Sequence, residues 1–329
     1  MTSISARNPN SNPSLSLSNN LSGIRRTQFI DSSTLLHRGN FEALRQRADE
    51  QGYLFFKKLL PTEAVMEVRE DMLSVVEAYG WRQSGQDARG GLIDLDALNQ
   101  VPDDEMRSDI GVSHAAYHDV QKLKSFHALP HHPNLIALYR GLFGEEVFVH
   151  PRHIARMITA HRVMHPTPHH QDFPLIQGSS NTWTCWFPLG DVPRSMGGLT
   201  VLQSSHRDGY IPIRPAHGAG GIAVHLCPGE KVWVEGDYQV GDVLTFPCFT
   251  VHRGLASQHK DRIRLSMDVR YQAISEPIEV KSFQPHCELT WEEVYADWED
   301  DNLQYYWNNS SPKISPWDDT LLQPAQRIC

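Results

Sequence analysis

Apolar residues recur at two different spacings along this chain, and the change falls near residue 146. Before it the spacing is helical. Phe41, Leu44 and Ala48 share one face of a segment from Asn40 to Gln51, and Gly52 supplies a stop. Tyr53 to Phe56 is a short apolar run and reads as a strand. After Pro61, the residues Val65, Val68, Met72, Val76 and Tyr79 repeat at helical spacing and belong to the core. Pro133 to Leu142 forms another helix, with Pro in its first turn and Gly144 beyond its end. Gly85 to Gly91 is polar and glycine-containing, a candidate mobile loop. From Glu146 onward, short β-rich runs alternate with Pro and Gly breaks: Val147–Val149, Ile154–Thr159, Thr182–Phe187, Leu199–Leu202, Lys231–Val234, Val243–Phe246 and Arg264–Tyr271. Such a series predicts a mainly β fold with flanking helices, built on a double-stranded β-helix of the jelly-roll or cupin-like kind.

After Ser275 the chain turns acidic and aromatic. Thr290-Trp291-Glu292-Glu293 is a capping box for a last helix. Trp298, Tyr305, Tyr306, Trp307 and Trp317 are expected to help cover the barrel. The organisation expected is one domain over 24–329, with a helical layer at 40–145, the jelly-roll core at 146–275 and an acidic, aromatic segment at 276–329. Residues 1–23 are rich in Ser and Asn and lack aromatics, so they read as a disordered tail. Their rival reading is an organellar import segment.

Charge narrows the partners. The net charge is −9, and residues 1–30 hold Arg7, Arg25 and Arg26 with no acid, which leaves −12 for the remainder. That balance argues against a nucleic-acid partner, which wants a basic face. No apolar run is long enough for a membrane span. The five cysteines are scattered without a CxxC, so no disulfide framework is expected and a reducing, intracellular setting is the better guess.

The candidate chemistry lies in Pro168-His169-His170-Gln171-Asp172-Phe173 and, eighty residues after the Asp, in Val251-His252-Arg253-Gly254. Residues i and i+2 of an extended segment face the same way, so His170 and Asp172 project together and His169 turns aside. With His252 they make two imidazoles and one carboxylate, a set that suits Fe(II) and leaves coordination positions open. Arg264 opens the last core strand, where a buried guanidinium can grip a carboxylate. Its competitor Arg262 sits in Lys260-Asp261-Arg262, which reads as turn.

These motifs, in this order, resemble the phytanoyl-CoA dioxygenase (PhyH) family of Fe(II)/2-oxoglutarate-dependent oxygenases. The likeness runs from about residue 40 to 275. It is carried by Gln51-Gly-Tyr-Leu-Phe-Phe-Lys-Lys-Leu-Leu-Pro61, by His170-Gln171-Asp172, by Trp186-Phe-Pro-Leu-Gly-Asp191 with Gly197 to His206, and by Gly241-Asp242 through His252 to Arg264. The resemblance implies that His170, Asp172 and His252 bind Fe(II) and that Arg264 binds the distal carboxylate of 2-oxoglutarate. It puts Trp186 beside that cosubstrate, although a core aromatic is an equal reading, and makes His206 structural. It implies a dioxygenase that uses O2, converts 2-oxoglutarate to succinate and CO2, and oxidises a C–H bond of a small molecule, with hydroxylation as the expected outcome. Two departures stand out. Gln203-Ser204-Ser205 replaces the usual Pro-Gly-Ser, and Gly254 occupies a position where many members carry a Ser that helps hold the cosubstrate. Substrate contacts are expected from Phe173–Asn181, from Tyr117 to Lys122 and from Gly85–Gly91, since loops on a rigid scaffold commonly carry specificity. Two other classes remain at this stage: a cupin-like metalloenzyme that ignores 2-oxoglutarate, such as an isomerase or cosubstrate-free dioxygenase, and a non-catalytic binding barrel.

Overall fold

The computed structural model describes residues 24–329; the tail expected at 1–23 lies outside them. Seven helices precede the barrel: α1 Ser33–His37, α2 Phe41–Gln51, α3 Thr62–Ala78, α4 Leu95–Leu98, α5 His114–Gln121, α6 Lys124–Ala128 and α7 Pro133–Phe143. The reason α2 stops is steric as well as conformational. Gly52 caps it in the left-handed region at φ 79°, and a Cβ there would lie 2.8 Å from Nδ1 of His206. His206 thus packs against a helix end, the structural part expected of it. Helix α3 buries Val65, Val68, Met72, Leu73 and Val76 almost completely, each worth about 1.5–3 kcal/mol in transfer terms.

Of the fourteen strands among the described residues, twelve come before the C-terminal segment: β1 Ile24–Thr27, β2 Leu54–Phe56, β3 Val147–Val149, β4 Ile154–Ile158, β5 Trp183–Pro188, β6 Leu199–Leu202, β7 Ile213–Pro215, β8 Ile222–Val224, β9 Lys231–Val234, β10 Val243–Pro247, β11 His252–Gly254 and β12 Arg264–Ala273. One sheet runs β2-β10-β5-β12-β3, with β4 also paired to β12; the other runs β1-β9-β6-β11. The two face each other as the double-stranded β-helix expected from the strand spacing. Trp186, Leu244 and Phe246 from the larger sheet pack between them against Leu199, Val201 and Val234 from the smaller.

Strand β12 sorts the molecule. Leu265, Met267, Val269 and Tyr271 join the core under the helical layer. Arg264, Asp268 and Arg270 alternate with them and face the barrel interior.

Three expectations need correction. Asp172 is not on a strand; it caps a one-turn helix, α8 Phe173–Ile176, with helical backbone angles, because its N–H and that of Phe173 both donate to the Cys248 carbonyl. The Gly85–Gly91 loop is pinned: Arg69 donates to the Arg89 carbonyl (2.7 Å), and Gln86 exchanges hydrogen bonds with the Leu92 backbone. Cys227 and Cys329 are joined in a disulfide, contrary to the reading of unpaired cysteines. The pair is 102 residues apart in sequence, so local spacing held no sign of it. The capping box expected at Thr290 is present, and it starts the last α-helix of the described residues, α9 Trp291–Tyr295. Trp291, Tyr295 and Trp307 pack there with Phe148, and Trp298, Tyr305 and Tyr306 pack against that cluster. Trp317 stands apart from it and lines a cavity instead.

Candidate metal centre

His170 and His252 face each other across a single β-bridge, in which each backbone N–H donates to the other residue's carbonyl (2.9 and 3.0 Å). The imidazole centroids are 4.2 Å apart. Asp172, one helical step beyond, turns its carboxylate to the same point. Oδ1 of Asp172 lies 3.6 Å from Nε2 of His170 and 3.7 Å from Nε2 of His252. All three residues are buried, and their ligand atoms lie within 4.8 Å of one another.

The surroundings prepare these atoms for a cation. Nδ1 of His170 donates to the Pro168 carbonyl (2.8 Å), and Nδ1 of His252 to the Thr250 carbonyl (3.0 Å). That assignment leaves both Nε2 lone pairs free and aimed inward. Burial and the neighbouring His170 ring lower the His252 pKa to about 4, so the ring is neutral near pH 7. Asp172 uses its other oxygen for Thr184 Oγ1 and for Arg270 Nη2 (3.0 Å). Burial opposes its ionisation, but Arg270 and the two imidazoles outweigh it and hold its pKa well below the usual range. His169 is not among the clustered ligand residues, and its backbone carbonyl accepts from Val224 N.

Arg264 is the next feature of the pocket. It is 5% exposed, and its Nε has no hydrogen-bond partner. Its one side-chain hydrogen bond among the described residues, from Nη1 to Ser266 Oγ, is long at 3.4 Å. No carboxylate among the described residues comes within 4.0 Å of it. Burial lowers its pKa to about 10, which leaves it charged. A buried, charged and unpaired guanidinium is costly unless an anion joins it. Arg262, by contrast, is exposed. Trp186 is buried, lies 5.9 Å from the Arg264 Cζ, and lines the same narrow cavity as Arg264, His252, Asp172 and Thr167. Gly254 also lines that cavity. A Cβ on Gly254 would stand 3.3 Å from Thr167 Oγ1, so the threonine hydroxyl fills the space a serine side chain would need.

In front of His170 and Asp172 a larger cavity of about 250 Å³ opens. Leu175 and Ile176 of α8, from the segment after Asp172, line it. Tyr117 does not reach it; its hydroxyl bonds Nδ1 of His286 (2.8 Å), whose ring does. The Gly85–Gly91 loop borders a separate cleft with Arg262. Sequence reasoning missed Arg270, Thr184, Thr167 and the cavity's C-terminal wall. The first had a signal: 264, 266, 268 and 270 alternate as polar positions along a strand otherwise apolar.

The class these features define is that of the non-haem iron oxygenases that consume 2-oxoglutarate. The chain belongs to the phytanoyl-CoA dioxygenase (PhyH) family, whose model matches residues 48–264. It is therefore an oxidoreductase that acts with Fe(II), 2-oxoglutarate and O2 on a small molecule. Two relatives are 1-deoxypentalenic acid 11-beta-hydroxylases. That of Streptomyces arenae is 29% identical over 262 residues, and that of Streptomyces exfoliatus 28%; each alignment spans 76% of this chain and 86% of the relative. The crystal structure of the epimerase SnoN in complex with Fe3+, alpha ketoglutarate and nogalamycin RO superposes with a TM-score of 0.52 at 21% identity, over 73% of this chain and 86% of that one. At that identity the likeness speaks for the fold. Among the described residues no helix is long and apolar enough to cross a membrane.

Proposed function

We propose that His170, Asp172 and His252 hold Fe(II), that Arg264 pairs with the distal carboxylate of 2-oxoglutarate, and that the reaction is hydroxylation of a C–H bond. The observation that carries this is the convergence of Oδ1 of Asp172 with the two free Nε2 atoms at 3.6 and 3.7 Å. Bound together, iron and 2-oxoglutarate supply oxidation by O2, with succinate and CO2 as coproducts.

The chain's own residues supply the positioning. The Pro168 and Thr250 carbonyls hold the imidazole rings in one tautomer. Thr184 and Arg270 fix the Asp172 carboxylate so that one oxygen stays on the metal side. Arg264 offers its fork to the anion, and Thr167 stands where a serine on residue 254 would otherwise donate. Trp186 walls the cosubstrate's side of the cavity and excludes water from it.

The test is anaerobic titration with Fe(II) and then 2-oxoglutarate, followed by measurement of succinate and product mass on admission of O2 with candidate substrates. A product heavier by one oxygen atom is the expected result. His252→Ala should abolish metal binding, and Arg264→Ala should spare metal binding while weakening 2-oxoglutarate binding. Activity in Arg264→Ala with no need for 2-oxoglutarate would instead favour a cupin-like enzyme without cosubstrate.

A further inference from the structure

The cavity before His170 and Asp172 carries an imbalance of charge that the metal site does not use. Most of its charged groups are matched. Arg270 pairs with Asp172 at 3.0 Å, Arg156 with Asp268 at 2.9 Å, and Asp109 accepts from Nε and Nη2 of Arg107 at 2.9 Å each. Two cations on the wall remain without an acid within 4.0 Å among the described residues: Arg152 and Lys281.

Their placement brings them together. Arg152 lies in the turn before β4, and Lys281 on a 3-10 turn, Val280–Phe283. Arg152 Nη1 donates to the Lys281 backbone carbonyl (3.2 Å), its only side-chain hydrogen bond among the described residues. The Lys281 ammonium stands over the Trp317 ring, 3.7 Å from its centroid. Lys281 is exposed, so the ring holds its ammonium against the wall without neutralising it. Two like charges on one cavity wall are unfavourable unless something negative comes between them.

One acid is close. Glu279 accepts the Lys281 backbone N–H at 2.7 Å, while its Oε1 is buried with no partner. It tempers the pair without forming an ion pair with either. Two cations tempered by one carboxyl leave room for a single negative charge, which favours a monoanion over a phosphate. Leu175, Ile176, Ile154, Ala219 and the Trp317 ring form the apolar part of the wall; the neutral polar side chains of His150, Ser282 and His286 line it as well.

We propose that Arg152 and Lys281 receive the carboxylate of a substrate whose body is otherwise apolar, with the reacting carbon lying toward His170 and Asp172. The planar guanidinium fork suits a carboxylate, and the ammonium adds a point charge. This rests on the reading of His170, Asp172 and His252 as the metal site.

The experiment is calorimetric titration of protein loaded with Mn(II) and saturating 2-oxoglutarate, which supports no turnover and keeps Arg264 covered. The probes are cyclohexylacetic, 1-adamantanecarboxylic and dodecanoic acids, each beside its primary alcohol. At least one acid should bind about ten- to a hundredfold more tightly than its alcohol, the range for a charge-assisted hydrogen bond. Arg152→Gln should remove that preference and leave the alcohol's affinity unchanged; Lys281→Gln should remove part of it, and Arg152→Lys should restore part. Acids that bind no better than alcohols across the panel overturn the proposal, as does an Arg152→Gln variant that weakens acid and alcohol alike. Binding of 2-oxoglutarate to the Mn(II) protein is measured before any probe is added. Its failure in the wild type refutes the metal-site reading, and the acid–alcohol comparison on metal-free protein then decides for Arg152. There, an acid preference lost in Arg264→Ala but kept in Arg152→Gln assigns the anion to the wrong residue and overturns the proposal.

Discussion

Mild acid should loosen this protein through histidines that have no part in the metal site. His127, His131 and His150 each have a pKa near 4, against about 6.5 for a free side chain, and burial is the leading cause in all three. They are neutral when folded, and their hydrogen bonds suit that form: His127 Nε2 donates to the Gln121 carbonyl, and His150 Nε2 to Gln272 Oε1. The unfolded chain takes up protons below about pH 6.5, while the folded chain resists until about pH 4. Their stabilising effect is therefore complete above pH 6.5 and lost as pH falls toward 4. At pH 5 the loss is on the order of 2 kcal/mol per histidine, from ~1.5 pH units at ~1.4 kcal/mol each. Three together approach ~6 kcal/mol, a large part of a typical domain's 5–15 kcal/mol. Urea unfolding followed by tryptophan fluorescence at pH 7.5, 6.5, 5.5 and 5 measures this directly, since Trp291 and Trp298 lie 5.8 and 5.5 Å from the His127 ring. His127→Gln keeps a donor toward Gln121 and removes the titration. It should shallow the slope by about one proton's worth, ~1.4 kcal/mol per pH unit between pH 6 and 4.5. An unfolding free energy that is flat from pH 7.5 to 5, or a slope unchanged in the variant, refutes the reasoning.

Other outcomes follow from single contacts. Thr167→Val should raise the KM for 2-oxoglutarate by about tenfold with kcat little changed, and the pair Thr167→Ala with Gly254→Ser should restore it; equal KM values in wild type and Thr167→Val would exclude the hydroxyl as a donor. Arg270→Gln removes the cation that holds Asp172 and should weaken Mn(II) binding by about 10–100-fold, the range for partners behind a metal ligand, as read by electron paramagnetic resonance; unchanged affinity would mean that Thr184 alone orients the carboxylate. Cys329→Ser should lower the urea midpoint by the equivalent of up to about 4–5 kcal/mol, the chain-entropy figure for a loop of roughly a hundred residues, with dithiothreitol doing the same to the wild type; no shift with either would mean that the bond adds nothing to stability.

Much of the barrel was legible because its strands are short, apolar and punctuated. The helices at Asn40, Pro61 and Pro133 were legible because their caps and periodicity agree. His170, Asp172, His252 and Arg264 stood out for their residue types and order, and the structure brings the first three together. The geometric reason for Asp172 was wrong, however: alternation along a strand was assumed, whereas two amide donors to the Cys248 carbonyl bend the chain into a helical turn. Strand β1 was missed because Arg25 and Arg26 make it polar; it is exposed and pairs in parallel with β9. Strands β7 and β8 form a hairpin that was missed as well, since Arg214 and Pro215 interrupt the apolar run of β7. The disulfide, the pinned 85–91 loop and the cavity wall around Arg152 and Lys281 depend on contacts between residues far apart in the chain. No local pattern encodes those.

The bridge between His170 and His252 has a consequence for how such a chain can diverge. The spacing of the two imidazoles is set by a pair of backbone hydrogen bonds, not by the side chains around them. Many substitutions on the facing strands therefore leave that spacing intact, while a one-residue slip of β11 destroys it. The wall of the cavity in front of the bridge is drawn from different places, among them the α8 turn, the turn before β4, Ala219 and Gly220, and the stretch from Glu279 to Trp317. Of these, only α8 adjoins the bridge in sequence. Descendants of this chain can thus acquire new substrates by drift in the late segment, with the oxidising centre inherited unaltered.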